Sequence, residues 1–296
     1  MKISGGEIIK NLRKNMGVGQ KELAAKLFIS QQKLSRIEAG EQEISIMEFL
    51  VAFEVLGIVT DDFWIMYLSY DEFEGYVQYM RIQAMLAFGT VDEICDIYPQ
   101  FFKNPLAQRS FMSQFFSFIS AIVTKEDDTN KLGMLYDALK LSIMDFDDDN
   151  INNYRLTYCE VLIINEIALL YADAGEINKA ILLLNGIYEN MNKLRLSPSE
   201  CYMLYPKPLV NLYNLLIKVG EYERAAEVCN CTLDKSRQYF NFTYAPRAAY
   251  DLAVCYKEMG KSPQEYMPFI KTAYYAARAI EQHELANIIS KEYKIL

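Results

Sequence analysis

The residues best suited to chemistry at a defined spacing lie in one stretch, GQKELAAKLFISQQKLSRIEAG (19–40). Gln31 and Gln32 are adjacent amides, and an amide offers a donor and an acceptor side by side, as the major-groove edge of adenine requires. Lys33 adds a positive charge beside them, and Arg36 falls one helical turn further on the same face. Ser30 is a good N-cap for that helix. Gln20 opens the preceding helix with its amide near free backbone N–H groups, a grip suited to a phosphate oxygen. Ala24 is small where two helices must cross. The implied chemistry is recognition of a polar, anionic polymer rather than turnover of a substrate.

Other reactive residue types do not assemble into a site. The run Asp145-Phe146-Asp147-Asp148-Asp149 has the carboxylate density of a calcium loop, but Asn150 stands where the sharp turn needs Gly, and Leu156 where a bidentate Glu belongs. It reads as a solvated loop. His283 is the one histidine, with no nucleophile or second metal ligand near it in sequence. The six cysteines (Cys95, Cys159, Cys201, Cys229, Cys231, Cys255) form no C-x-x-C pair and read as reduced core residues. No Gly-rich phosphate loop occurs. The expectation is no enzyme, no metal and no cofactor.

Helices must position the recognition residues, because apolar side chains recur at spacings of three and four almost throughout the chain. Four short helices fit the first 57 residues, with faces Ile8/Leu12/Met16, Leu23/Ala24/Leu27, Leu34/Ile37 and Ile46/Leu50/Phe53. A fifth segment, DDFWIMYLSY (61–70), starts with Asp caps and reads as a bridging helix. Charge is unevenly divided along the chain. Residues 1–36 hold eight Lys/Arg and two Glu, a net of +6, whereas residues 61–296 hold twenty-two Lys/Arg and thirty-two Asp/Glu, a net of −10. A basic head on an acidic body suggests one domain that meets phosphate and one that does not.

The body carries a weak internal repeat. Gly175-Glu176-Ile177-Asn178-Lys179-Ala180 returns 45 residues later as Gly220-Glu221-Tyr222-Glu223-Arg224-Ala225, with a looser copy at Gly260. Upstream, the same phase holds Ala168/Tyr171, Tyr213/Leu216 and Ala253/Tyr256. In a helical hairpin the Gly permits the tight turn and the Ala lets the second helix approach the first. Residues 70–105 and 108–145 read as degenerate units, with Gly89 the clearest relic. Twenty-two tyrosines suit stacked hairpins, filling gaps between helices and presenting hydroxyls to a groove.

The small–aromatic–Gly–Ala spacing resembles tetratricopeptide repeats, at a longer period than usual. The pattern in residues 19–40 resembles the helix-turn-helix of lambda/434-type repressors, over residues 6–57. That resemblance implies that Arg13 and Glu38 pair as a structural bridge. Two departures stand out: the turn has Phe28 where such proteins often have Gly, and the loop after the third helix reads Glu41-Gln42-Glu43 where it is often basic. A positive φ at Phe28 would cost on the order of 1 kcal/mol.

GEQEIS (40–45) and GIVTDDF (57–63), followed by an all-helical repeat region, resemble the Rgg, PlcR and PrgX group of peptide-sensing regulators. The resemblance implies a right-handed superhelix that dimerises and holds a short signalling peptide, with asparagines clamping the peptide backbone at positions matching Asn165 and Asn211. Tyr250 and Asp251, at the equivalent place in the third unit, are further candidates. Helix capping or bridging is the alternative role for the asparagines. The expected protein is all-α: a DNA-binding head at 1–68, with Gln20, Ser30, Gln31, Gln32, Lys33 and Arg36 on DNA, then a repeat domain at 69–296. The expected partners are a double-stranded operator with paired half-sites, a short peptide and a second copy of the chain. No apolar run reaches the roughly 18 residues of a spanning helix, and MKISGGEIIKNLRK lacks a leader's apolar core, so a cytoplasmic, membrane-free protein is expected. The alternatives are a repressor whose repeats bind a protein or only dimerise, and an adaptor that sequesters a protein without touching DNA.

Overall fold

A computed structural model of the chain describes residues 5–56, 70–88, 91–108, 112–154, 156–191 and 206–295. Among these residues all regular structure is helical. The chain divides into two compact units, residues 1–79 with 103–106, and residues 80–102 with 107–296. The expected boundary at 68/69, nearly all of the bridging helix 61–70, Gly89 and Cys201 lie outside the described residues. No described helix is long and apolar enough to cross a membrane.

The first unit opens with α1 (Gly5–Asn15), α2 (Gln20–Lys26), α3 (Gln31–Glu38) and α4 (Ile46–Val55). Ile8, Ile9, Leu23, Ala24, Leu27, Leu34, Phe49, Ala52, Phe53 and Leu56 form one core. Of the apolar faces read from the sequence, Ile8, Leu23, Ala24, Leu27, Leu34, Ile37 and Phe53 are buried and Leu12 is partly buried, whereas Met16 is half exposed at the end of α1. Gly6 is required where α1 meets α3: a Cβ there would lie 1.8 Å from the Ile37 carbonyl oxygen. The backbone of α3 is thus seated directly on α1.

The second unit holds residues 80–88 of α5 (Tyr70–Phe88) and nearly all of α6 (Val91–Lys103), then α7 (Ser113–Val123), α8 (Asp128–Lys140), α9 (Tyr158–Asp173) and α10 (Ile177–Asn190). It continues with α11 (Pro206–Lys218), α12 (Tyr222–Gln238), α13 (Ala245–Glu258), α14 (Pro263–Ala279) and α15 (His283–Tyr293). From α7 onward each helix packs on the next in sequence. The repeat reading explains why. Gly175, Gly220 and Gly260 all have positive φ at the hairpin turns, and Ala168, Ala180, Ala225 and Ala253 are fully buried where helices meet.

Three expectations need correction here. Cys95 is exposed on α6, so it is not a core residue, although Cys229 and Cys255 are buried; all five described cysteines are free thiols. The acidic run is not simply solvated, since Asp148 accepts from Tyr136 Oη at 2.8 Å and pairs with Lys179 Nζ at 3.3 Å, tying the loop to α8 and α10. Tyr171 joins this cluster, accepting from Lys179 Nζ at 2.8 Å, so some tyrosine hydroxyls serve internal bonds rather than a groove.

Candidate functional site

Helix α3 is built to show one face and bury the other. Ser30, in extended backbone at φ −72° and ψ 149°, accepts from the Lys33 backbone N–H at 3.1 Å and starts the helix. Leu34 and Ile37 then turn into the core, while Gln31, Gln32 and Arg36 are exposed along the outer face. Gln31 and Gln32 therefore stand in solvent at the N-terminal end, the end that such a helix inserts into a groove, with Arg36 exposed in the last turn.

The other candidates are already tied into the head. Lys33 Nζ reaches Glu48 Oε1 at 2.6 Å, and Glu48 also accepts from the Ser45 N–H at 3.1 Å and its hydroxyl at 2.9 Å. Lys33 is thus a strap from α3 to the start of α4, and it holds the Glu48 carboxyl below the usual range, with the Ser45 bonds helping. Gln20 Nε2 donates to Glu38 Oε2 at 2.8 Å, which leaves its second amide hydrogen for a phosphate.

Glu38 is the centre of this network. Arg13 donates from Nε to Oε1 at 2.7 Å and from Nη2 to Oε2 at 2.8 Å, and its Nη1 closes on the Val18 carbonyl at 2.9 Å. The two side chains are 10% and 2% exposed. Burial raises the Glu38 carboxyl, but the bonds from Arg13 and Gln20 outweigh it and hold the group below its ordinary value. The bridge implied by the repressor resemblance is present, and it fixes α1, α2 and the end of α3 to one another. The turn between α2 and α3 does pass through positive φ, 56° at Phe28.

The asparagines of the second unit are brought together, though not as two independent clamps. Asn211 Nδ2 donates to Asn165 Oδ1 at 2.9 Å across α11 and α9. Asn165 is buried and also donates to Glu166 at 3.3 Å, whereas Asn211 is half buried. Tyr250 and Asp251 sit in a separate group on α13: buried Asp251 accepts from Arg247 Nε at 2.6 Å, and the Tyr250 hydroxyl donates to Glu292 at 2.7 Å. Burial holds the Asp251 carboxyl above its usual range against the pull of Arg247.

Sequence reasoning passed over Glu166, Lys207 and Arg247, which complete the polar set on these helices. Burial pushes the Glu166 carboxyl up, opposed by Lys207 and Asn165, and Lys207 Nζ donates to the Leu86 carbonyl at 2.7 Å. A signal existed: each base lies four residues before a candidate, Lys207 before Asn211 and Arg247 before Asp251, so each pair shares a helix face. An open cavity of about 430 Å³ between α6, α7 and α8, lined by residues including Tyr98, Ser120, Lys125 and Met134, holds none of the predicted residues.

Comparison with known proteins bears on both regions. A family described as helix-turn-helix matches residues 9–64. No curated protein matches the chain. Among solved structures, PlcR of Bacillus thuringiensis in complex with the peptide PapR7 and DNA superposes with a TM-score of 0.73 at 19% identity, over 97% of this chain and 99% of that one. ComR from S. thermophilus, in complex with DNA and its signalling peptide ComS, gives 0.60 at 14% identity over 98% of both chains. The SHP pheromone receptor Rgg2 of Streptococcus dysgalactiae gives 0.60 at 16% over 98% of both. The chain thus carries a helix-turn-helix region at residues 9–64 and shares, along nearly its whole length, the fold of PlcR, ComR and Rgg2.

Proposed function

We propose that the protein is a DNA-binding transcription regulator whose activity is set by a short signalling peptide held in the repeat unit, as in quorum sensing. The observation that carries the reading is the exposed row Gln31, Gln32 and Arg36 along a helix rigidly seated on α1, within a first 36 residues that carry a net charge of +6 while the rest of the chain is acidic. The likeness to structures crystallised with both DNA and a peptide supports the two partners together. A homodimer reading paired half-sites about one helical turn apart follows from the mode of such heads, and action in the cytoplasm follows from its target. Selection of binding sites from a pool of random-sequence duplexes by the full-length protein tests the DNA half; recovery of no enriched sequence would sink it.

The peptide half rests on Asn211. It is half buried on α11, and its carbonyl oxygen and one amide hydrogen remain for an extended backbone, while Asn165 positions it from α9. Tyr250 and Asp251 extend the same row of hairpin helices to α13. Peptides captured from culture supernatant by the full-length protein and read by mass spectrometry would supply the ligand. Asn165→Ala with Asn211→Ala should then weaken that peptide at least about tenfold, because stranding a buried bonding partner costs about 1–3 kcal/mol. The Asn165–Asn211 bond itself favours a second reading, in which the pair only joins two helices and the repeats bind a protein or dimerise. A variant that melts lower yet holds the peptide with unchanged affinity decides for that second reading.

A further inference from the structure

Helix α2 ends in a Schellman motif: the Phe28 N–H bonds the Ala25 carbonyl at 3.2 Å and the Ile29 N–H bonds the Ala24 carbonyl at 3.0 Å. Phe28 itself must take positive φ, and at the same place in six other helix ends the chain has glycine five times, at 17, 40, 175, 220 and 260, and Glu281 once. Phe28 takes φ 56° with a full side chain, a conformation that glycine adopts without strain. The ring recovers nothing from the fold. It is 94% exposed, more than any other large apolar side chain described, while its neighbours Leu27 and Ile29 pack on the core of the head. A strained backbone and an uncovered aromatic ring at one residue cost stability twice over.

Its place in the head names the occupant. Phe28 lies two residues before Ser30, which caps α3, and three before Gln31, so it stands beside the end of the helix that carries the exposed amides. Lys21 and Arg36 are exposed on the same two helices, and Lys26 is exposed beside Glu22 at 3.7 Å, so the flanking surface is net positive and suited to a polyanion. A duplex offers apolar surface there in two forms, thymine methyl groups and the deoxyribose wall of the groove.

We propose that Phe28 is a DNA-contacting residue, its ring packing on the apolar surface of the operator beside the bases met by Gln31 and Gln32. This rests on the reading of the head as a DNA binder. The test uses full-length protein and a duplex that the wild type selects from a random-sequence pool. Phe28→Gly should melt higher than wild type, since the strain is relieved, yet bind the selected duplex about tenfold more weakly. Phe28→Leu, which keeps an apolar side chain, should restore most of that affinity. Deoxyuridine in place of thymine, position by position, separates the two forms of contact. One substitution that weakens wild type but leaves Phe28→Gly unchanged identifies a thymine methyl; substitutions that affect both proteins alike identify the sugar wall. Phe28→Gly binding the duplex as wild type does would overturn the proposal, as would a loss of binding matched by dissociation of the free protein into smaller species, which would make the ring a contact between copies. A wild type that enriches no sequence would instead remove the DNA reading underneath.

Discussion

Glu38→Ala is expected to destabilise the helix-turn-helix unit by about 3–5 kcal/mol, because it leaves the Arg13 guanidinium buried without its counter-charge. Three hydrogen bonds end on this one carboxylate, two from Arg13 and one from Gln20. Its loss uncouples α3 from α1 and α2, the two helices that aim it, so DNA binding should fall with the fold. Hydrogen exchange on the full-length protein localises the effect: amides of residues 5–56 should lose protection, while those of α9 to α15 keep theirs. Equal loss in both units, or none in the head, would contradict the assignment. The same group gives the head an acid dependence. Its carboxyl is held below the ordinary value in the folded state, so its contribution is present above the unfolded pKa and is lost as pH falls through the lowered folded one. Glu38→Ala should remove that part of the acid sensitivity.

Gln31→Ala and Gln32→Ala should each cost about 1–3 kcal/mol on the selected duplex and little on a scrambled one, since bidentate amide contacts carry base discrimination. Both side chains are exposed and bond to nothing in the head, so the melting temperature should not move. Gln20→Ala should behave differently, weakening all duplexes by a similar factor, with a small loss of head stability through its bond to Glu38. Competition assays with selected and scrambled duplexes separate the two classes. If the Gln31 and Gln32 variants lose selected and scrambled binding equally, the groove geometry assigned to α3 is wrong.

The sequence by itself determined the elements and the face of each. Spacing of Leu34 and Ile37 is enough to bury one side of α3 and leave Gln31, Gln32 and Arg36 outside, because helical periodicity is local. Glycines at 175, 220 and 260 foretold hairpin turns for the same reason: the conformation they permit depends on one residue. Which polar groups remain available was decided only by tertiary structure. Lys33 and Glu48 are 15 residues apart, Gln20 and Glu38 are 18, and Asn165 and Asn211 are 46, and no pattern of neighbours in sequence states that these groups meet. Packing brings them together, and once buried or half buried each must satisfy its hydrogen bonds with whatever the fold places opposite. Phe28 shows both sides: its place where repressor-like turns often have Gly pointed to a positive φ only through that resemblance, and only the packed head shows the φ of 56° and the ring left in solvent, because Leu27 and Ile29 on either side take the core.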